Sequence, residues 1–386
     1  DTEIRFLRNA CMHETLDRFY DGEAEGISDI GALVDLFVTD RDDRFEERMI
    51  ECYLKTSSYP EGYRFFEMSA GRLLDSVQTL QSGGSFLQTP WGKSITDAML
   101  RSLNAFHNVF SHAVNCFETD EKVAKAYLPS FAADLQYVDL LMDALHKQEE
   151  PKVRELLSTY APRRLGSLKT ENQTEEILFF KEWRADLPKS IREWNTAFFA
   201  ADETECIHDM KQTAEICRQL YCFLSVFDNC FSAEKSSRSI LDFGDLERFA
   251  LQLLTENGNP SAVACETAER FDEIYIDEYQ DINEMQDQIF RAVSRPNNRF
   301  MVGDVKQSIY GFRGAAPALF SAYRKAFPQY VPGEDETKTP IANTLFLPDN
   351  FRCDRPVISF CNTVFDLLFP NGSGRVPYHD EDRLIC

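Results

Sequence analysis

Apolar residues recur at helical spacing through most of the first 235 positions. Ile4, Leu7, Cys11 and Phe19 fall near one face, and Asp1 or Thr2 can cap the helix they predict. Ser28 can cap a second helix carrying Ile30, Leu33, Val34 and Phe37. Residues 91–117 place Ile95, Met99, Leu103, Phe106 and Phe110 on one stripe, and Leu128, Phe131, Leu135, Val138, Leu141 and Leu145 continue it. Residues 172–200 and 204–229 read as two more long helices. Aromatic stripes of this kind predict core rather than ligand sites. No internal repeat accompanies them.

The pattern changes after Ser236. Asp242 can cap a helix running to Leu254, and Pro260 opens another. Ile274-Tyr275-Ile276 is a short apolar run that reads as a buried strand. It stops abruptly at Asp277-Glu278. A second run, Phe300-Met301-Val302, follows one helix later and stops at Gly303-Asp304. Residues 317–327 read as a helix, 331–343 as a polar inter-domain linker, 344–347 as a strand and 354–369 as a helix. Adjacent carboxylates at the end of a buried strand are costly unless a cation or a reaction uses them. Open α/β sheets bind ligands at that edge.

At 386 residues with 43% hydrophobic residues, the chain has length for two or more domains with ample core. No apolar run is long enough for a transmembrane helix. The charged start lacks a signal-peptide pattern, so a cytoplasmic location is expected. Eleven cysteines without a CxxC pair predict reduced, mostly buried thiols, and zinc and iron–sulphur spacings are absent. The net charge of −23 works against binding a phosphate backbone, unless the acids lie on outer faces and a local groove is basic.

Several features imitate chemistry. Gly92-Lys93-Ser94 resembles the end of a phosphate-binding loop, but Leu87 stands where its first glycine belongs. His107 and His112 lack the intervening Glu of a metalloprotease helix. Cys206 and His208 lack a second ligand pair. Residues 151–169 are locally basic, with Lys152, Arg154, Arg163, Arg164 and Lys169. They read as a solvated linker or as a loop on a nucleic-acid backbone.

Two stretches carry a resemblance. Asp277-Glu278-Tyr279-Gln280-Asp281 resembles the Walker B motif (motif II) of superfamily 1 DNA helicases of the UvrD/Rep type. The run from Gly303 to Ala315 resembles their motif III. Asp242-Phe243-Gly244-Asp245-Leu246 is similar to the segment just before motif II, and Asn350-Phe351-Arg352 to motif IV. Lys306 and Phe312 shift the match towards the AddA (RexA) subunits of AddAB helicase–nucleases. The motifs are specific from Asp242 to Asn362 and weak before that.

The resemblance implies a partial P-loop NTPase, RecA-like α/β motor lobe with a large all-α insertion. The insertion would span 1–235, the C-terminal part of the first motor domain 236–330, and the start of the second 344–386. Motif I would lie before Asp1, and later motifs and a nuclease after Cys386. The chain alone, which contains no GxxxxGK[ST], is expected to be inactive. The implied activity is an ATP-dependent 3′→5′ DNA helicase and exonuclease of double-strand break repair and recombination. It would use ATP and Mg²⁺, act on single- and double-stranded DNA and, away from membranes, pair with an AddB-like subunit. Asp277 would hold Mg²⁺ through water, Glu278 would polarise the attacking water, and Gln307 and Arg352 would meet the γ-phosphate. Gln280 and Asp304 would link these groups. Tyr310, Phe312 and Arg313 would meet DNA bases, with core packing the alternative for Phe312. The competing readings are a UvrD/Rep helicase without a nuclease, and a non-catalytic helical interaction module.

Overall fold

The computed structural model describes residues 2–38, 42–169, 173–330, 342–368 and 383–385. Contacts group the chain into two compact units, Asp1–Gly71 with Thr213–Leu347, and Arg72–Gln212 with Pro348–Cys386. This grouping cuts the chain differently from a helical region ending near Lys235.

In the first unit, α1 (Thr2–Tyr20), α2 (Ile30–Phe37) and α3 (Asp42–Thr56) share a core with a later helix. Leu7, Met12, Leu33, Phe45 and Met49 pack with Phe223, Phe227 and Phe231. Asp29, not Ser28, caps α2, because its extended backbone brings Oδ1 within 3.0 Å of the Ala32 N–H. Asp1 lies outside the described residues. The division between units falls within α4 (Phe65–Gln81) and, later, α9 (Glu203–Ser237).

The second unit is built on α5 (Pro90–Phe117), α6 (Glu121–His146), α7 (Glu150–Thr159) and α8 (Glu175–Phe198). Met99, Leu103, Phe110, Phe131, Val138, Leu141, Phe180 and Leu187 form its buried centre. Each such side chain stabilises the fold by about 1.5–3 kcal/mol. Gly92-Lys93-Ser94 is simply the start of α5. Thr89 caps it and accepts the Gly92 N–H at 3.1 Å, and a Cβ on Gly92 would sit 2.0 Å from the Phe86 carbonyl oxygen. That amide is therefore unavailable to a phosphate.

The basic segment is pinned through its backbone. Gly166 N–H donates to the Ala126 carbonyl at 2.9 Å, Ser130 Oγ to that of Arg164 at 3.1 Å, and Arg184 to that of Arg163 at 2.6 Å. Arg154 is occupied by Glu150 and by the carbonyls of Phe199 and Ala201.

Back in the first unit, α10 (Phe243–Leu254) is oriented against the usual rule. Its Asp245 is buried, while Phe243, Leu246, Phe249 and Leu253 are exposed along one face. The reason is an ion cluster. Lys235, 3% exposed, lies over the Phe231 ring and donates to Asp242 at 2.9 Å and to both Asp245 oxygens at 2.7 and 2.6 Å. Arg248 bridges Asp245 to Asp228, which accepts the Tyr53 hydroxyl. Asp242 and Asp245 also form a capping box.

A tight hairpin then joins β1 (Thr255–Glu256) to β2 (Asn259–Pro260) through Asn257 and Gly258, both at positive φ. Ser261 caps α11 (Ala262–Ala268), so Pro260 closes the hairpin rather than opening a helix.

The centre of the unit is a βαβ element: β3 (Ile274–Ile276), α12 (Glu284–Ala292) and β4 (Arg299–Met301). The strands are parallel, with Tyr275 opposite Phe300 and Ile276 opposite Met301. Ile276 is buried, but Tyr275 and Phe300 are 69% and 51% exposed. The expected two-sided burial therefore holds on one face only.

After α13 (Pro317–Ala326), the strand expected at 344–347 is reduced to one parallel bridge, Gln329 to Thr344. Leu345 and Leu347 are exposed, with no described strand beside them. The expected linker lies almost wholly outside the described residues. α14 (Arg355–Leu368) follows.

No helix among the described residues is long and apolar enough to cross a membrane. The described cysteines are free thiols. Most are only half-buried, contrary to expectation, and Cys265 is exposed.

Candidate functional site

The site grows from the C-terminal ends of β3 and β4. The ladder continues past the strands: Val302 N–H donates to the Ile276 carbonyl at 2.9 Å, and Tyr279 N–H to that of Val302 at 2.8 Å. This fixes the two loop starts, Asp277-Glu278 and Gly303-Asp304, side by side. Both carboxylates of the first loop are exposed. Glu278 turns the chain in the left-handed region at φ 50°, ψ 43°, and its N–H donates to Asp277 Oδ1 at 2.9 Å. The next residue, Tyr279, is fully buried. Its hydroxyl donates to the buried Asp287, which also accepts from Tyr323. Burial and then the Asp287 hydrogen bond push the Tyr279 phenol far above its ordinary value.

Gln280, 1% exposed, ties the two loops together. Its Nε2 donates to Glu278 Oε2 at 2.7 Å, and its Oε1 accepts the Asp304 N–H at 2.8 Å. Its backbone carbonyl accepts Ser308 Oγ at 3.1 Å. Glycine at 303 is what permits this approach. A Cβ there would lie 2.5 Å from Gln280 Oε1 and 3.1 Å from the Tyr279 nitrogen. Asp304 in turn accepts Gln307 Nε2 at 3.0 Å and pairs with Lys306 Nζ at 2.9 Å.

One hydrogen-bonded chain thus runs Glu278–Gln280–Asp304–Gln307. Three residues beyond Gln307, Tyr310 and Phe312 stand with ring centroids 6.0 Å apart, and the Arg313 guanidinium lies 5.3 and 5.6 Å from them. Phe312 is 78% exposed, which removes core packing as its explanation.

Arg352 belongs to the second unit. Its N–H donates to Asn350 Oδ1 at 3.0 Å, as does that of Cys353 at 2.9 Å, so Asn350 shapes the local turn. The structure thus brings together Asp277, Glu278, Gln280, Asp304 and Gln307. It describes Arg352 separately. Sequence reasoning missed Gly303 and the Tyr279–Asp287–Tyr323 group. The buried Asp287 follows the acidic motif by only a few residues, but nothing in the spacing singles it out.

A parallel βαβ unit with paired acids at one strand end and a cross-linked polar loop at the next defines a protein of the helicase motor class. The chain belongs to the UvrD/REP helicase N-terminal domain family, which matches residues 94–328. Over its whole length it is similar to proteins named as ATP-dependent helicase/nuclease subunits. That of Acetivibrio thermocellus is 27% identical over 401 residues, and that of Heliobacterium modesticaldum 29% over 421. Each alignment covers 100% of this chain and 30% of the relative. The Syntrophomonas wolfei protein is 26% identical over 388 residues, covering 99% of this chain and 29% of the relative. The chain therefore spans about three-tenths of the length of these relatives.

Proposed function

We propose that this chain carries motifs II to IV of an ATP-driven DNA helicase–nuclease subunit of the AddA type. The observation that carries the reading is the continuous link from Glu278 through Gln280 and Asp304 to Gln307, in the same loop as an exposed aromatic pair. The βαβ unit would be part of a RecA-like lobe, and the helices of the second unit part of an insertion in it. The full-length subunit would translocate 3′→5′ on single-stranded DNA in double-strand break repair, in the cytoplasm, with an AddB-like partner.

The residues present fit a magnesium nucleotide. Asp277 offers a carboxylate oxygen at an exposed strand end, the hard donor that Mg²⁺ prefers. Bound there through water, Mg²⁺ would supply charge neutralisation at the phosphates. Glu278 polarises the attacking water, with Gln280 fixing the carboxylate's orientation through Oε2. Gln307 and, from the second unit, Arg352 meet the γ-phosphate. A change at Gln307 is passed within three residues to Tyr310 and Phe312, on which bases stack.

Phe312→Ala should weaken binding of the chain to single-stranded DNA by about 1–3 kcal/mol, the usual contribution of one stacked base. Its melting temperature should not move, because the ring is exposed. Fluorescence anisotropy and a melting curve on the same sample check this. Unchanged affinity in the folded variant would remove Phe312 from the DNA role. Lys306 favours the AddA type over a UvrD/Rep helicase without nuclease, since the Lys306–Asp304 pair sits inside the link itself.

A further inference from the structure

Away from the motif loops, the last two turns of α5 and the first turn of α8 bring three different donor atoms to one point. His112 and Cys116 are four residues apart, so their side chains stack on one face of α5. Glu176 stands in the first turn of α8, just after its Thr174 cap. His112 Nε2 is 3.3 Å from Glu176 Oε1 and 3.6 Å from Cys116 Sγ, and Cys116 Sγ is 3.6 Å from Glu176 Oε1.

These lengths are informative together. Zinc binds imidazole nitrogen at about 2.0–2.1 Å, thiolate sulphur at about 2.3 Å and carboxylate oxygen at about 2.0–2.2 Å in tetrahedral geometry. Those bonds require ligand-to-ligand edges of about 3.3 Å for N···O, about 3.6 Å for N···S and about 3.5 Å for S···O. The three observed edges have those lengths with no side chain moved. As hydrogen bonds, by contrast, the sulphur contacts are long and weak.

We infer that His112, Cys116 and Glu176 form a tetrahedral zinc site whose fourth position is open to water. The thiolate makes the set too soft for Mg²⁺ or Ca²⁺, and zinc imposes no competing geometry of its own. Binding displaces the thiol proton to solvent, and the sulphur then donates its pair to the metal. The His112 ring is already oriented. It stands edge-on to the buried Phe180 at 5.6 Å. His112 and Glu176 are more than half exposed, so an ion can enter without opening the fold. The effect is a staple between the end of α5 and the start of α8 within one helical unit.

The test uses the whole chain, stripped of metal and titrated with Co²⁺ and then Zn²⁺. Co²⁺ should bind stoichiometrically with a thiolate charge-transfer band in the near ultraviolet, and Zn²⁺ should bleach that band. Zn²⁺ should also raise the melting temperature. Cys116→Ser should abolish the band, and His112→Ala and Glu176→Gln should each weaken zinc binding by about 100-fold or more. His107→Ala and Cys206→Ser, at an unrelated imidazole and thiol, should change neither. No band on the unsubstituted chain at saturating Co²⁺ would overturn the inference, and so would a band that survives in Cys116→Ser. The cobalt titration of the unsubstituted chain is independent of whether any variant folds.

Discussion

Glu278→Gln in the full-length subunit should lower ATP turnover by about 10²–10⁴-fold while leaving single-strand affinity unchanged. The substitution preserves shape and keeps an oxygen to accept the Gln280 amide, which bonds Glu278 Oε2 at 2.7 Å. What it removes is the negative charge that draws a proton from water. The link onward to Asp304 is anchored by Gln280 Oε1, not by residue 278, so the aromatic end of the loop is untouched. Phosphate release with and without DNA, beside an anisotropy titration, separates the two effects. Retained turnover would take the general-base role from Glu278. A parallel loss of DNA binding would mean that the charge holds the loop together rather than acting on water.

The second large effect concerns stability. Lys235→Met should cost about 3–5 kcal/mol, as removal of one partner from a buried ion group does. The ammonium is nearly fully buried, and its departure leaves Asp245, 2% exposed, with a negative charge answered only from the Arg248 side. Urea unfolding measures the loss. Adding Asp245→Asn should recover part of it, because the stranded charge is what is costly. Failure of that rescue would point to lost packing on Phe231 instead.

The group also predicts a pH response. Burial pushes the Asp242 carboxyl up, but the Lys235 hydrogen bond, the Asp245 amide and the nearby cations outweigh it and hold the carboxyl below its ordinary value. A carboxyl depressed in the folded state adds stability above its unfolded pKa, and that stability is lost as pH falls through the folded one. The unsubstituted chain should therefore keep this contribution down to about pH 4 and lose it below.

The sequence was most legible where periodicity and burial agree. The α5 and α6 stripes lie where Met99, Leu103, Phe110, Phe131 and Val138 put them, since a repeat of apolar residues every three to four positions has one efficient way to leave water. The acidic loop after β3 and the Gly303 loop were legible because local residues alone determine them. The exposed face of Tyr275 and Phe300 was not, because a strand of three residues says little about what covers each side. The inverted α10 misleads for a different reason. Its charges are satisfied by Lys235 and Asp228, partners that lie on another helix. The 255–260 hairpin did carry a signal, Asn257-Gly258, which the neighbouring proline obscured. The 344–347 run has strand composition without a partner strand, and composition cannot supply one.

Glu278 holds a left-handed backbone that costs a non-glycine residue about 1–2 kcal/mol. Glycine would occupy that turn without strain, and asparagine with less. At this one position, heat resistance and chemistry therefore ask for different residues. A library of variants screened only for soluble expression or thermal survival should drift towards Gly or Asn at 278 and discard the carboxylate. Only a screen that also demands turnover would keep it, so persistence of glutamate under selection reports on activity and not on the fold.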